Sequence, residues 1–164
     1  MPRLRRPFQM TDIRIAETTQ DLRRCFPVMH ELRPQLDLER FVAQLQRQVQ
    51  SAGYRLAFVE LAGNVVAAAG YRIVEMLAWG KALYVDDLVT AEAYRGQGHA
   101  SRLFDWLVAE SRRLGCEQFH LDSGVHRFVA HRFYLHKGLD ITSHHFAMKL
   151  QPREENPPTR QGKP

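Results

Sequence analysis

The spacing of apolar positions changes several times along the chain. Ile13 and Ile15 alternate with polar neighbours as in a short strand, and Thr19 with Asp21 opens a helix that runs towards His30 and that Pro34 ends. From Leu38, the residues Phe41, Val42, Leu45 and Val49 recur at steps of three and four, which predicts a second amphipathic helix before Gly53. The period then drops to two. Residues 54–60, 64–76 and 81–90 are rich in β-branched and aromatic side chains and are separated by turn signals at Ala62-Gly63-Asn64 and Trp79-Gly80, so they read as an antiparallel meander. A helix from about Ala100 to Leu114 follows, stopped by Gly115, then a strand over Gln118–Leu121 and a helix from about His126 to Lys137, stopped by Gly138. Phe146, Met148 and Leu150 alternate as a closing strand. The predicted order is β-α-α-β-β-β-α-β-α-β, an α/β (α+β) chain with a mixed, mostly antiparallel sheet flanked by helices.

The ends differ from this body. Residues 1–10 carry Arg3, Arg5 and Arg6 and read as a flexible basic arm, and Met10 offers a second start, which leaves open whether the arm belongs to the native product. Residues 151–164 hold four prolines and no large apolar side chain, so they cannot bury enough surface to offset ordering and read as a disordered tail. Between them, residues 11–150 of the 164 form one predicted domain. The net charge of +5 is concentrated in the ends, with +3 in the arm and +1 in the tail, so the body is nearly neutral and nucleic acid is not the expected partner. No apolar run approaches the roughly 20 residues needed to cross a bilayer, and no secretory h-region is present, which places the protein in the cytoplasm with no membrane partner. Cys25 and Cys116 form no C-x-x-C pair and read as reduced thiols.

The segment from Asp86 to Ser101 carries the chemistry. A strand leads through a short loop, Arg95-Gly96-Gln97-Gly98, into a helix beginning with His99, Ala100 and Ser101. Free N–H groups and the positive dipole end of a helix make a phosphate site, and glycines let the ligand approach the backbone. The alternative is an ordinary surface turn. A P-loop is excluded because His99 follows Gly98 where Lys is required. A dinucleotide fingerprint fails because Ser101 occupies the third glycine position and the loop does not follow a first strand.

Arg95-Gly96-Gln97-Gly98-His99-Ala100 resembles the [QR]-x-x-G-x-[GA] acetyl-CoA motif of the GCN5-related N-acetyltransferase (GNAT) family. The order of elements over residues 11–150 is similar too, as is the Phe133-Tyr134 pair within residues 130–138. The resemblance implies an acyltransferase with acetyl-CoA as co-substrate. It also implies that the amides of Arg95 to Ala100, with Ser101, hold the pyrophosphate, while the backbone of Leu88, Val89 and Thr90 pairs with the pantetheine arm. Tyr134 would protonate the departing thiolate, where the alternative is that it packs its helix onto the sheet.

An attacking amine near pKa 10 must lose a proton, which calls for a carboxylate or a relayed water. Asp86 and Asp87 are the candidates, because Leu83 and Val85 alternate in one phase while Leu88 and Thr90 continue in the other, as a β-bulge would cause. The resemblance favours Asp87; the alternative is that both are solvated or paired with arginine. On the acceptor side, Glu31 is a candidate to attract an amine and Arg33 a carboxylate or phosphonate, unless each is a solvated helix-end charge. Residues 130–145 also resemble aminoalkylphosphonate acetyltransferases.

No metal site is expected. His126, His131 and His136 are spaced five apart, which rotates them off a shared helix face, and whether His120, His144 and His145 converge across strands stays open. The resulting expectation is direct acetyl transfer to a primary amine of a small polar molecule or peptide. The rival is a catalytically silent acyl-CoA-binding or partner-binding module of the same fold. A homodimer is compatible with the family, many of whose members pair through sheet edges.

Overall fold

The computed structural model describes residues 13–150, so the basic arm and the proline-rich tail lie outside the described residues. The described chain divides into two units, one ending at Asp122 and the other beginning at Ser123.

The first unit is a five-stranded sheet in the order β1-β2-β3-β4-β5, where β1 is Ile13–Ile15, β2 Arg55–Leu61, β3 Asn64–Met76, β4 Gly80–Thr90 and β5 Gln118–Leu121. All neighbours are antiparallel except β4 and β5, which are parallel because helix α3, His99–Arg113, carries the chain across between them. Alternation along the strands sends Leu56, Phe58, Ala68 and Val89 into one core with helices α1, Thr19–Leu32, and α2, Leu38–Ala52. The intervening residues Ala57, Val59, Ala67, Ala69, Tyr71, Leu83 and Val85 form a second core with Leu103 and Leu107 of α3. Each helix thus covers one face of a sheet that is apolar on both.

Local chemistry starts and stops these helices, with Thr18 rather than the expected Thr19 opening α1 alongside Asp21. The Thr18 hydroxyl accepts from the Asp21 N–H, and the Asp21 carboxylate accepts in return from the Thr18 N–H, closing a capping box on α1. Asp37 caps α2 by accepting from the Arg40 N–H at 2.8 Å. Gly53, at φ +62°, ends α2 in the left-handed region.

The second unit contains α4, Phe128–His136, preceded by a turn in which the Arg127 N–H donates to the Gly124 carbonyl. The predicted closing strand is not formed. Phe146, Met148 and Leu150 lie in no ladder and are 90, 83 and 84% exposed, because an alternating segment becomes a strand only where a sheet edge accepts its hydrogen bonds. Among the described residues, no helix is long and apolar enough to cross a membrane.

Candidate active site

The phase slip in β4 is a bulge. Gly70 of β3 pairs with Asp87 and Tyr71 pairs with Val85, so Asp86 has no opposite residue. Val85 packs on the α3 side of the sheet and Val89 on the α1/α2 side, and the extra residue lets Asp86 and Asp87 both meet partners on the α1/α2 side. These partners differ. Arg72 grips Asp86 with both ends of its fork, Nε to Oδ2 at 2.8 Å and one terminal nitrogen to Oδ1 at 2.7 Å. Asp87 receives Arg33 on Oδ1, from Nε at 2.8 Å and a terminal nitrogen at 2.7 Å, and the Tyr54 hydroxyl on Oδ2 at 2.9 Å. Arg33, the residue that ends α1, stays 44% exposed, while the Asp87 side chain is 12% exposed. Burial, followed by the Asp87 charge, raises the Tyr54 phenol well above its usual range, so it holds its proton and donates.

One strand edge beside this cluster is open. The ladder between β4 and β5 covers only Ala82–Val85 with Gln118–Leu121, so among the described residues Leu88, Val89 and Thr90 have a ladder partner only in β3. The Thr90 hydroxyl oxygen is buried there without a hydrogen-bond partner among the described residues. An extended ligand segment with amide groups fits both features.

Past β4 a 3-10 turn, Glu92–Tyr94, leads to Arg95, Gly96, Gln97 and Gly98. Gly96 and Gly98 take φ of +73° and +84°, and a Cβ on either would meet open space, so the backbone here is exposed to a ligand. Gly98 is the N-cap of α3 and no side chain caps that helix, so the N–H groups of His99, Ala100 and Ser101 have no intrahelical acceptor. Arg95 is 59% exposed, donates to the Thr90 carbonyl at 3.3 Å, and lies beside this mouth. A positive, uncapped helix start flanked by glycines suits a pyrophosphate. His99 does not present a charge: burial and then Arg102 lower its pKa, and neither ring nitrogen has a partner among the described residues.

Glu31, the candidate acceptor-side carboxylate, sits in the last turn of α1. It accepts from the Glu92 N–H at 2.9 Å and lies 3.6 Å from Arg95, so it ties the last turn of α1 to the glycine loop. The final residues of α1 therefore reach both features: Glu31 the loop and Arg33 the bulge. Tyr134 lies on α4 in the second unit, its ring 5.5 Å from that of Phe133, and burial raises its pKa above the usual phenol value. Among the described residues, no group of three or more His, Cys, Asp or Glu is placed to hold a metal ion. His120 instead stacks on Trp79, with centroids 3.8 Å apart, and shares a hydrogen bond with Gln118. Burial pushes the Cys25 thiol up to about 12, which leaves it inert as a nucleophile.

Three residues of this cluster carry no sequence signal of their role. Tyr54 follows a helix stop and has its partner 33 positions later, Gly70 sits inside an apolar strand, and Arg72 reads as an ordinary strand charge. The register β3↔β4 is what brings Gly70 and Arg72 to the aspartates.

Residues 15–139 match the sequence model of the acetyltransferase (GNAT) family. The chain is 34% identical over 122 residues to the uncharacterized N-acetyltransferase YhdJ of Bacillus subtilis, covering 74% of this chain and 86% of that protein. It is also 35% identical over 66 residues to the aminoalkylphosphonate N-acetyltransferase of Salmonella typhimurium, which is 40% of this chain and 43% of that one. Among solved structures, the aminoglycoside N-acetyltransferase AAC(6')-Iy in complex with CoA superimposes with a TM-score of 0.75 at 14% identity, over 87% of this chain and 95% of that chain. A transcriptional regulator from Bacillus halodurans gives 0.74 at 21% identity, over 85% of this chain and 99% of that chain. At such identities these two establish the fold.

Proposed function

Since the chain belongs to the acetyltransferase (GNAT) family and is an acetyl-CoA-dependent enzyme acting on amines, we propose that its acceptor is a small primary amine carrying an acidic group a few bonds from the nitrogen. The observation that carries this reading is Arg33, which is half exposed and already in contact with Asp87. An acceptor that places a carboxylate or phosphonate on the outer side of this guanidinium brings its own amine beside the Asp87 carboxylate. The partial similarity to an aminoalkylphosphonate N-acetyltransferase points the same way.

In this reading Asp87 is the general base. The family resemblance favours it over Asp86, and of the two carboxylates Asp87 is the one bound to the half-exposed Arg33 that an acidic acceptor would engage, while Asp86 is held on both oxygens by Arg72. Asp87 takes one proton from the ammonium form of the acceptor, the nitrogen forms its bond to the acetyl carbon and loses its second proton to solvent as the carbon–sulfur bond breaks, and the family resemblance assigns protonation of the departing thiolate to Tyr134, which regains its proton from solvent. The amine attacks directly, since Cys25 is buried and inert and no activated serine is apparent. The open edge of Leu88–Thr90 and the Gly96–Ser101 helix mouth suit the pantetheine and pyrophosphate of acetyl-CoA. Both cysteines are free thiols, in keeping with the cytoplasm as the place of action.

The test is release of free CoA from acetyl-CoA with paired amines of equal length, with and without a carboxylate or phosphonate. The acidic member is expected to show kcat/KM higher by about tenfold or more, the worth of a charge-assisted hydrogen bond. Arg33→Ala should erase that preference. Equal kcat/KM for the pair would overturn the acceptor assignment.

A further inference from the structure

Tyr54 is a phenol built into the core on a path cleared for it. It is 2% exposed and follows the left-handed Gly53, and its N–H donates to the Gln48 carbonyl at 3.2 Å, which fixes its backbone at the end of α2. Its ring belongs to the core between α1, α2 and the sheet, and its hydroxyl crosses to Asp87. A Cβ on Gly70 would lie 1.6 Å from that hydroxyl oxygen. Gly70 has no left-handed φ to explain a glycine, so space for the hydroxyl is what the position requires. Gly70 is also the ladder partner of Asp87, at the bulge itself. A glycine, a bulge and a buried phenol therefore converge on one carboxylate.

We propose that Tyr54 is a positioning residue for acetyl transfer, holding Asp87 by its Oδ2 atom in the orientation that accepts the acceptor's proton. The inference rests on the reading of Asp87 as the base. Two donors hold this carboxylate and they differ in kind. Arg33 comes from the end of a helix, is half exposed, and is the group an acidic acceptor would draw away. Tyr54 is locked by packing and stays in place whatever Arg33 does. The other charged groups facing Asp87 are its neighbour Asp86 on β4 and, through Asp86, Arg72 on β3. Without the phenol, Asp87 keeps only the mobile donor and loses its fixed orientation.

The experiment compares pH profiles of kcat and KM for wild type, Tyr54→Phe, Asp87→Asn and the double variant, using CoA release with one amine. Tyr54→Phe keeps the ring packing and removes one oxygen. It is expected to lower kcat by about threefold to thirtyfold, leave the KM for acetyl-CoA unchanged, and displace the acidic limb of the kcat profile. The double variant should match Asp87→Asn alone, because Tyr54 acts only through that carboxylate. Gly70→Ala, which crowds the same hydroxyl from β3, should move the limb in the same direction. A wild-type limb and kcat in Tyr54→Phe, alongside a flattened profile in Asp87→Asn, would overturn the positioning role while leaving the base assignment standing. A wild-type profile in Asp87→Asn would overturn both.

Discussion

At the scale of single residues, the bulge gives the two aspartates unequal surroundings, and their variants should separate accordingly. Asp87→Asn should flatten the acidic side of the pH–rate profile and cut kcat, whereas Asp86→Asn, which frees Arg72, should act mainly on stability. Reversal of the two effects in CoA-release assays would identify the other carboxylate as the base. Tyr134→Phe should lower kcat by about ten- to a thousandfold with acetyl-CoA affinity retained, as expected when a proton donor to the leaving group is removed. An unchanged kcat would make Tyr134 a packing residue. The sequence showed the phase slip between Val85 and Leu88, and hence the bulge, because strand alternation is a local property. It did not show Tyr54, Gly70 or Arg72, because their roles depend on which residues the strand register sets side by side.

At the scale of elements, the end of α1 is a hub. Glu31 accepts from the backbone of the 3-10 turn and pairs with Arg95, so Glu31→Gln should loosen the glycine loop and raise the KM for acetyl-CoA by about threefold to tenfold with little change in kcat. An unchanged KM would show that the loop holds its own shape. The start of α1 gives a prediction in pH. The Thr18 hydroxyl and N–H hold the Asp21 carboxyl below its ordinary value. Its contribution is therefore present above about pH 4 and is lost as pH falls through the lowered folded value. Asp21→Ala should cost about 1 kcal/mol near pH 7, and urea unfolding should show the difference shrinking at pH 3. Helices, their glycine stops and the meander are legible because apolar period and turn chemistry are written in neighbouring residues. A closing strand is not legible in the same way: Phe146, Met148 and Leu150 alternate as a strand would, yet no sheet edge pairs with them, and pairing is not a local property.

At the scale of the whole molecule, the open edge of β4 and the uncapped mouth of α3 lie on consecutive stretches of one unit, so occupation of one should favour occupation of the other. Acetyl-CoA at a hundred times its Kd should stabilise the folded chain by about 2.7 kcal/mol, a rise in Tm of about 5–11 °C for a protein of this size. NADH and ATP should give no comparable shift, because the loop carries neither their fingerprint nor their lysine. In the proposed reaction a bound amine, relieved of a proton at Asp87, attacks the thioester directly. Initial-velocity kinetics with acetyl-CoA and an acidic amine varied together test it most directly. Intersecting double-reciprocal lines, and a protein that gains no acetyl mass from acetyl-CoA alone, are the predicted result. Parallel lines with an acetylated enzyme would contradict it and transfer the chemistry to a protein nucleophile.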